Sequence, residues 1–476
     1  QQFLLKLRTL LHKMSACCAI PCSRSAWSLG ASAISGSLVL FAVDRRSSSQ
    51  SPCETSGAVP RCRVGLIADP QYFAYRPNRK LDIPQWVGTT RRYGHVLEHV
   101  RTALDTFRGD RGTAPVDMIV QLGDLIDGAN ASAGTSRLAL AQMLQELRKG
   151  PWQEQQVHHV VGNNELKNFT RAELAGWMCS ARPERSSNME EPYLHYYDFA
   201  PCVGWRFIVL DTYAVSLLGE GAQLNEAKTM VKRNPNCAEV DADAPLECFL
   251  QATAGFDASA DGSRTFLDPS LTERRFLAYN GAVGSHQRSW LQGVLAKAGE
   301  VGEQVIVFGH NPLHPSVVNG LDALAWDYQE VLEVIDGAGC VLAYIAGHDH
   351  SGGYSRDPAT GIHHLTVPSA LEAPPGTGSR YLVMELFENS ARLWGEGGVL
   401  MDPGRTAHCR TCGGSGIALH DGKTCFPCGG SGEGPGGTCS GRSRNTQSDS
   451  YLYFGSSTGI TFAREPCRKG PRCVMS

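Results

Sequence analysis

Between about Arg63 and Gly398 the chain repeats one pattern: a short, continuous apolar run that stops abruptly at Gly, Asp, Asn or His. The runs are CRVGLIADPQ (62–71), DMIVQLGDLIDG (117–128), VHHVVGNNE (157–165), WRFIVLDTY (205–213), EQVIVFGHNP (303–312) and GCVLAYIAGHDH (339–350). Runs that are apolar throughout, rather than at alternate positions, predict strands buried on both faces. Segments with apolar residues at helical spacing lie between them: 91–108, 136–149, and 285–298, where Ser285 reads as an N-cap. Strands alternating with helices predict an α/β layered fold, in which ligands sit at the carboxyl ends of the strands. A later stretch, SRYLVMELFENSARLWGEG (379–397), reads as two strands joined by the turn ENS and closing a sheet edge.

The polar residues that end the runs form a set: Asp69 and Gln71, Asp124 and Asp127, Asn163 and Asn164, His310, His348 and His350. Any one of them has an ordinary explanation as a turn or loop residue. Their recurrence on successive strand ends does not. Hard oxygen ligands mixed with imidazole, and no thiolate, suit Mn, Mg, Fe or Zn in an open catalytic site rather than a closed structural zinc site. A carboxylate with ligands on both sides is the recipe for a pair of ions about 4 Å apart that clamps an in-line displacement.

The ordered series ADPQ, GDLID, GNNE, GHNP, GHDH resembles the calcineurin-like metallophosphoesterase superfamily. Within it, Gln71 at a position usually held by His is similar to the manganese-dependent ADP-ribose/CDP-alcohol diphosphatase family. So are TRRYGHVLEH, QLGDLIDGAN, VHHVVGNNELKNF, LDTYAVSLLG, YNGAVGSHQRSWL and GHDHSGGYSRDP. The resemblance implies a metallophosphoesterase-type fold, a central β-sandwich flanked by helices, over residues 62–398. It also implies that Asp69, Gln71 and His350 hold one divalent ion, that Asn163, His310 and His348 hold another, and that Asp124 bridges them. His310 and Asn164 are then the catalytic candidates, with a small nucleotide diphosphate as substrate. One position departs from the family: Gly-Asn-His-Glu is replaced by Gly162-Asn163-Asn164-Glu165. Asn can donate a hydrogen bond but cannot deliver a proton. That disfavours esters with poor leaving groups and keeps open a second reading, a weakened enzyme acting as a binding module. Tyr72, Phe73 and Tyr75 are candidates to line the pocket or stack on a base, with plain packing as the alternative.

Composition bounds the rest. A net charge of -3 provides no basic field for nucleic acid. Residues 1–43 lack Asp and Glu and carry Lys6, Arg8, Lys13 and Arg24, so residues 1–61 read as a targeting segment and linker, organellar or secretory, with a cytoplasmic protein as the alternative. The uncharged run 26–43 is a mediocre membrane span, and an anchor is the second choice there. The 17 cysteines are unevenly spread and do not suggest a disulfide framework. Cys409, Cys412, Cys425 and Cys428 form two CxxC pairs within 405–436, each followed by Gly-Gly-Ser-Gly, which suits a tetrathiolate zinc site. This small Cys-rich tail resembles half of the zinc repeat of Hsp40-type co-chaperones, implying one zinc at most and an unidentified protein partner. Residues 437–476, basic and rich in Ser and Gly, read as poorly ordered.

Overall fold

In the computed structural model, which describes residues 59–74, 82–84, 90–178, 195–253, 273, 275–373, 379–396 and 460–463, each of the six apolar runs forms a strand. They are β1 (Cys62–Ile67), β4 (Met118–Gln121), β5 (Val157–His159), β7 (Trp205–Val209), β10 (Gln304–Phe308) and β11 (Val341–Ala346). The other strands are β2 (Asp82–Pro84), β3 (Thr90–Arg92), β6 (Tyr197–Phe199), β8 (Val215–Ser216), β9 (Gly281–Ala282), β12 (Gly353–Arg356), β13 (His363–Thr366), β14 (Tyr381–Leu386), β15 (Ser390–Glu396) and β16 (Ile460–Ala463). The described helices are α1 (Val96–Arg108), α2 (Ala129–Ala133), α3 (Ser136–Leu147), α4 (Asn163–Asn168), α5 (Arg171–Met178), α6 (Gly221–Val231), α7 (Leu246–Ala252), α8 (Gly284–Val301) and α9 (Tyr328–Ala338).

Two sheets of six strands carry the fold, in the orders β16-β15-β14-β1-β4-β5 and β12-β13-β11-β10-β7-β6. In the first, β1, β4 and β5 run parallel, and the hairpin β14–β15 joins antiparallel to β1. In the second, β7, β10, β11 and β13 run parallel. The predicted hairpin forms, but it extends the sheet inward of its edge, because β16 pairs outside β15. That edge strand comes from the stretch whose composition reads as poorly ordered.

Alternation along the strands explains the layering. Val64, Leu66, Val120, Phe207, Ile306, Phe308, Ile345 and Met384 meet between the sheets. Their neighbours turn outward. Ile67 and Ile119 pack with Phe107 of α1 and Leu140 and Met143 of α3. Val305 and Val307 pack with Leu291 and Leu295 of α8 and Val331 and Ile335 of α9. The result is a sandwich of sheets covered by helices on both outer faces. All seven parallel strands therefore lead into loops at strand carboxyl ends, where the polar motifs lie.

The predicted Ser285 cap is not used. The first amides of α8, on Val283 and Gly284, donate to the Asp327 carboxylate at 3.0 and 2.9 Å. A residue 44 positions away satisfies donors that local sequence left open. Among the described residues no helix is long and apolar enough to cross a membrane. Residues 26–43, Tyr75 and the tail cysteines lie outside the described residues.

Four histidines on strands β5 and β13 are buried. Burial pushes His158, His159 and His364 down to about 3 and His363 to about 4. An unfolded chain binds protons at these sites near pH 6.5 that the folded chain refuses, so their stabilising effect is complete above that pH and is lost on acidification. Each contributes up to about 1.4 kcal/mol per pH unit between its two pKa values. Denaturant titrations from pH 8 to pH 4 should show stability declining below about pH 6.5, less steeply than the four histidines alone would give, because the raised Asp69 and Glu165 carboxyls take up protons in the folded chain. Replacing His158, which stacks on Phe199 at 3.9 Å, by Phe should remove about one proton from that slope; an unchanged slope would contradict the assignment.

Candidate metal centre

Non-glycine residues with positive φ are uncommon. Among the described residues they are Asp69 (48°), Gln71 (45°), Asp124 (54°) and His348 (68°), all from the strand-end motifs. Left-handed backbone costs roughly 1–2 kcal/mol per residue, so the surrounding structure must hold it. The loops after β1 and β4 brace each other: the Asp69 amide donates to Gly123 O at 3.2 Å and the Gln71 amide to Asp124 O at 2.9 Å. Ser369 Oγ donates to Asp69 O at 2.8 Å. Gly123 has φ 97°, and a Cβ there would lie 2.2 Å from His310 Nδ1. Only glycine lets the loop after β4 pass this close to the His310 ring.

Glu165, the fourth residue of the GNNE motif, holds the next pair of loops. Its buried carboxylate accepts from the amides of Asp124 (2.8 Å), Leu125 (2.6 Å) and Gly162 (2.9 Å). Burial, then the neighbouring Asp124 charge, push the Glu165 carboxyl up to about 7. Asp124 in turn accepts from the Asn164 amide at 2.8 Å, from Asn164 Nδ2 at 2.7 Å and from Gln71 Nε2 at 3.0 Å.

The histidines are oriented by partners outside the centre. His310 Nδ1 donates to Leu122 O at 2.7 Å, which turns Nε2 toward the centre. That Nε2 lies 3.6 Å from Asp124 Oδ1 and 3.9 Å from Asp69 Oδ1. His350 Nδ1 donates to Glu372 Oε1 at 2.8 Å, and its Nε2 faces Asp69 Oδ1 at 3.6 Å. His348 Nε2 donates to Asn280 Oδ1 at 2.7 Å, and its Nδ1 lies 3.2 Å from His310 Nε2. In each ring one nitrogen is fixed by a hydrogen bond, and that selects the tautomer whose other nitrogen faces the centre.

Ligand atoms of Asp69, Asp124 and His310 all lie within 4.8 Å of one another. Asp69 Oδ1 and Gln71 Oε1 are buried without a hydrogen-bond partner. Buried acceptors without donors are costly, and a cation between them removes that cost. Burial pushes the Asp69 carboxyl up to about 6, against the pull of His310 and His350. Burial also works against the Asp124 carboxylate and the His310 imidazolium, but each holds the other charged: Asp124 falls to about 2 and His310 rises to about 9. A proton on His310 thus occupies the place of positive charge. An all-N,O donor set of this kind fits a divalent ion such as Mn.

Asp69, Gln71, Asp124, Asn163, Asn164, His310, His348 and His350 therefore converge. Asn163 Oδ1 accepts from Tyr213 OH at 3.2 Å. Of the two aromatic candidates, Tyr72 sits elsewhere. Tyr72 belongs to the core and its hydroxyl donates to Gln142 at 3.0 Å, away from the centre. Phe73 meets Tyr93 edge to face at 5.9 Å. Asp127 also turns away, accepting from the Ala129 amide at 2.7 Å and Tyr93 OH at 2.8 Å. Sequence reasoning missed Tyr213, Asn280, Glu372 and the bracing role of Glu165. Tyr213 and Asn280 stood in the motifs LDTY and YNG, without a spacing that revealed their purpose. Nothing local marked Glu372.

Sheets paired in this way, with nitrogen and oxygen ligands gathered at their strand ends, define a metal-dependent hydrolase. Residues 62–352 match the calcineurin-like phosphoesterase family. The manganese-dependent ADP-ribose/CDP-alcohol diphosphatase of Xenopus laevis is 31% identical over 74% of this chain and 91% of its own length. The protein of the same name from Oryza sativa subsp. japonica is 33% identical over 71% and 92%. The crystal structure of a dimetal phosphatase from Danio rerio superposes with a TM-score of 0.58 at 29% identity, covering 71% of this chain and 96% of that one. The chain belongs to the manganese-dependent ADP-ribose/CDP-alcohol diphosphatase family, within the calcineurin-like phosphoesterases.

Glu165→Ala should strand three buried amides, each costing about 1–3 kcal/mol. Stability should fall by about 3–5 kcal/mol in urea titrations, and manganese affinity should fall with it as Asp124 loses its support. Glu165→Gln, which keeps an acceptor oxygen, should be clearly milder. Equal losses in the two variants would remove the bracing role.

Proposed function

We propose that this protein hydrolyses nucleotide-linked diphosphates, of the ADP-ribose or CDP-alcohol type, at a two-metal centre. Asp69, Gln71 and His350 hold one ion, Asn163, His310 and His348 the other, and Asp124 bridges. The observation that carries this reading is the convergence of three tautomer-fixed imidazole nitrogens on two buried carboxylates, one with an unpartnered oxygen. When bound, the ions supply a water of lowered pKa as nucleophile and neutralise phosphoryl charge. The chain's own groups supply the rest. Glu372, Asn280 and Leu122 O each hold one nitrogen of an imidazole, so that its other nitrogen faces the centre. Asn164 is held against Asp124 and offers no proton. A substrate whose leaving group is itself a phosphate suits that arrangement, because such a group departs without one.

With the full chain, Mn²⁺ should support release of AMP from ADP-ribose and CMP from CDP-alcohols better than Mg²⁺, with little turnover of alkyl phosphodiesters. Asp124→Asn should abolish nearly all activity and most bound metal. Asp127→Asn, which loses only partners outside the centre, should keep both and cost about 1 kcal/mol of stability. Comparable metal loss in the two variants would refute the ligand assignment.

For the tail we propose a single zinc held by Cys409, Cys412, Cys425 and Cys428, supported by the CxxC spacing. Cys409→Ser should lower zinc content by about one ion per chain, read by elemental analysis, and leave hydrolysis unchanged. Unaltered zinc would remove the site.

A further inference from the structure

Lys167 lies one turn along α4 from Asn164, and its Nζ donates to Asn164 Oδ1 at 3.3 Å. The residue is exposed, so the ammonium sits at the solvent side of the centre. No carboxylate pairs with it among the described residues. The nearby arginines differ: Arg91 faces Asp127 at 3.6 Å, and Arg92 donates to Glu372 O at 3.2 Å. The stem of Lys167 is routed by a glycine. A Cβ on Gly128 would lie 2.9 Å from Lys167 Cδ and 2.8 Å from Asn164 Oδ1, so a larger residue there would displace both.

A cation resting on a neutral amide gains little from that contact. It gains far more from an anion, and bonds from ammonium to phosphate oxygen are among the stronger hydrogen bonds in water-exposed sites. We propose that Lys167 is a specificity-determining residue that binds the departing phosphate of a diphosphate substrate, a role that rests on the hydrolytic reading above. In the reaction, water oxygen bonds to one phosphorus and the bridging P–O bond breaks. The bridging oxygen leaves with the electron pair on the second phosphate, and the proton lost by water goes to solvent. Charge accumulates on that second phosphate, so the group needed beside it is a fixed cation rather than an acid. Asn164 holds Lys167 at the required edge in the free protein and can release it to the substrate. A substrate with a single phosphate has nothing for Lys167 to bind.

The test uses the full-length, Mn²⁺-loaded protein with Lys167→Met, which keeps the stem's bulk, and Lys167→Arg. Calorimetry with α,β-methylene ADP, a diphosphate that is not hydrolysed at its bridge, should show binding weakened about tenfold or more by Lys167→Met and largely kept by Lys167→Arg. Kinetics should show the same loss in kcat/KM for ADP-ribose, while bis(p-nitrophenyl) phosphate, with one phosphate and a good leaving group, changes less than about twofold. Equal losses on both substrates, or analogue binding unchanged in Lys167→Met, would overturn the role. Failure of the wild type to bind the analogue would overturn it as well. Wild type that binds the analogue, with the Lys167 dependence, yet leaves ADP-ribose intact would refute the proposed substrate and leave Lys167 as a diphosphate-binding group.

Discussion

One buried carboxylate ties together the strand ends on which the centre is built. Glu165 accepts amides from the loop after β4 and from the loop after β5, so two neighbouring strands end on a common acceptor. The arrangement holds Asp124 in left-handed backbone at φ 54°. From there its carboxylate is framed by Asn164 and Gln71 and faces His310. Relaxing Asp124 to an ordinary conformation would gain roughly 1–2 kcal/mol locally but would break three hydrogen bonds to a buried anion, and the lost hydrogen bonds outweigh the relieved strain.

The same device recurs around the rim. Asp211, after β7, accepts from the amides of Tyr213 at 3.0 Å and His195 at 3.0 Å and is paired with Arg171 at 2.6 Å. Asp327 accepts from the first turn of α8 and pairs with Arg288. Asp349, between His348 and His350, turns back to the amide of Ser351 at 2.9 Å. The His-x-His motif is thereby explained: alternate residues face the ligand site, and the one between fastens the loop. Burying each acid costs several kcal/mol before its bonds are counted, and the return is positional. Tyr213 shows what position achieves, since the loop that Arg171 and Asp211 clamp is the one whose hydroxyl orients Asn163. Ligands held in place before a substrate arrives need no reorganisation during the reaction.

What was legible in the sequence follows from which contacts are local. The parallel strands could be read because burial on both faces makes them apolar throughout. The residues that converge at the centre could be read because a strand end is a fixed place in such folds. The second tier could not, because its members meet across long separations: Asn280 reaches His348 over 68 residues, and Leu122 reaches His310 over 188. Short pairs such as β8 with β9 consist of two residues each and leave no periodicity to detect. Tyr72 misled because an aromatic next to a ligand motif looks alike whether it faces a pocket or, as Tyr72 does, the core. The Ser285 cap failed for a related reason: a distant Asp327 outcompeted the local hydroxyl.

Charge balance connects the ligand set to the choice of substrate. Among the described residues the proposed ligands include two carboxylates, Asp69 and Asp124, and otherwise amides and imidazoles. With two divalent ions held there, roughly two positive charges remain uncompensated. A diphosphate diester brings two negative charges and a simple phosphodiester brings one, so the diphosphate is the better electrostatic match. Gln71 belongs to this balance, because a carboxylate at its position would remove one of the uncompensated charges. Lys167 extends the positive field outward from the ligands to the edge where Asn164 lies. The exchange of an acid for an amide at position 164 then has a physical counterpart three residues on. On the proposed reading, a site with an amide in place of the acid holds a cation where a leaving phosphate would gather its charge.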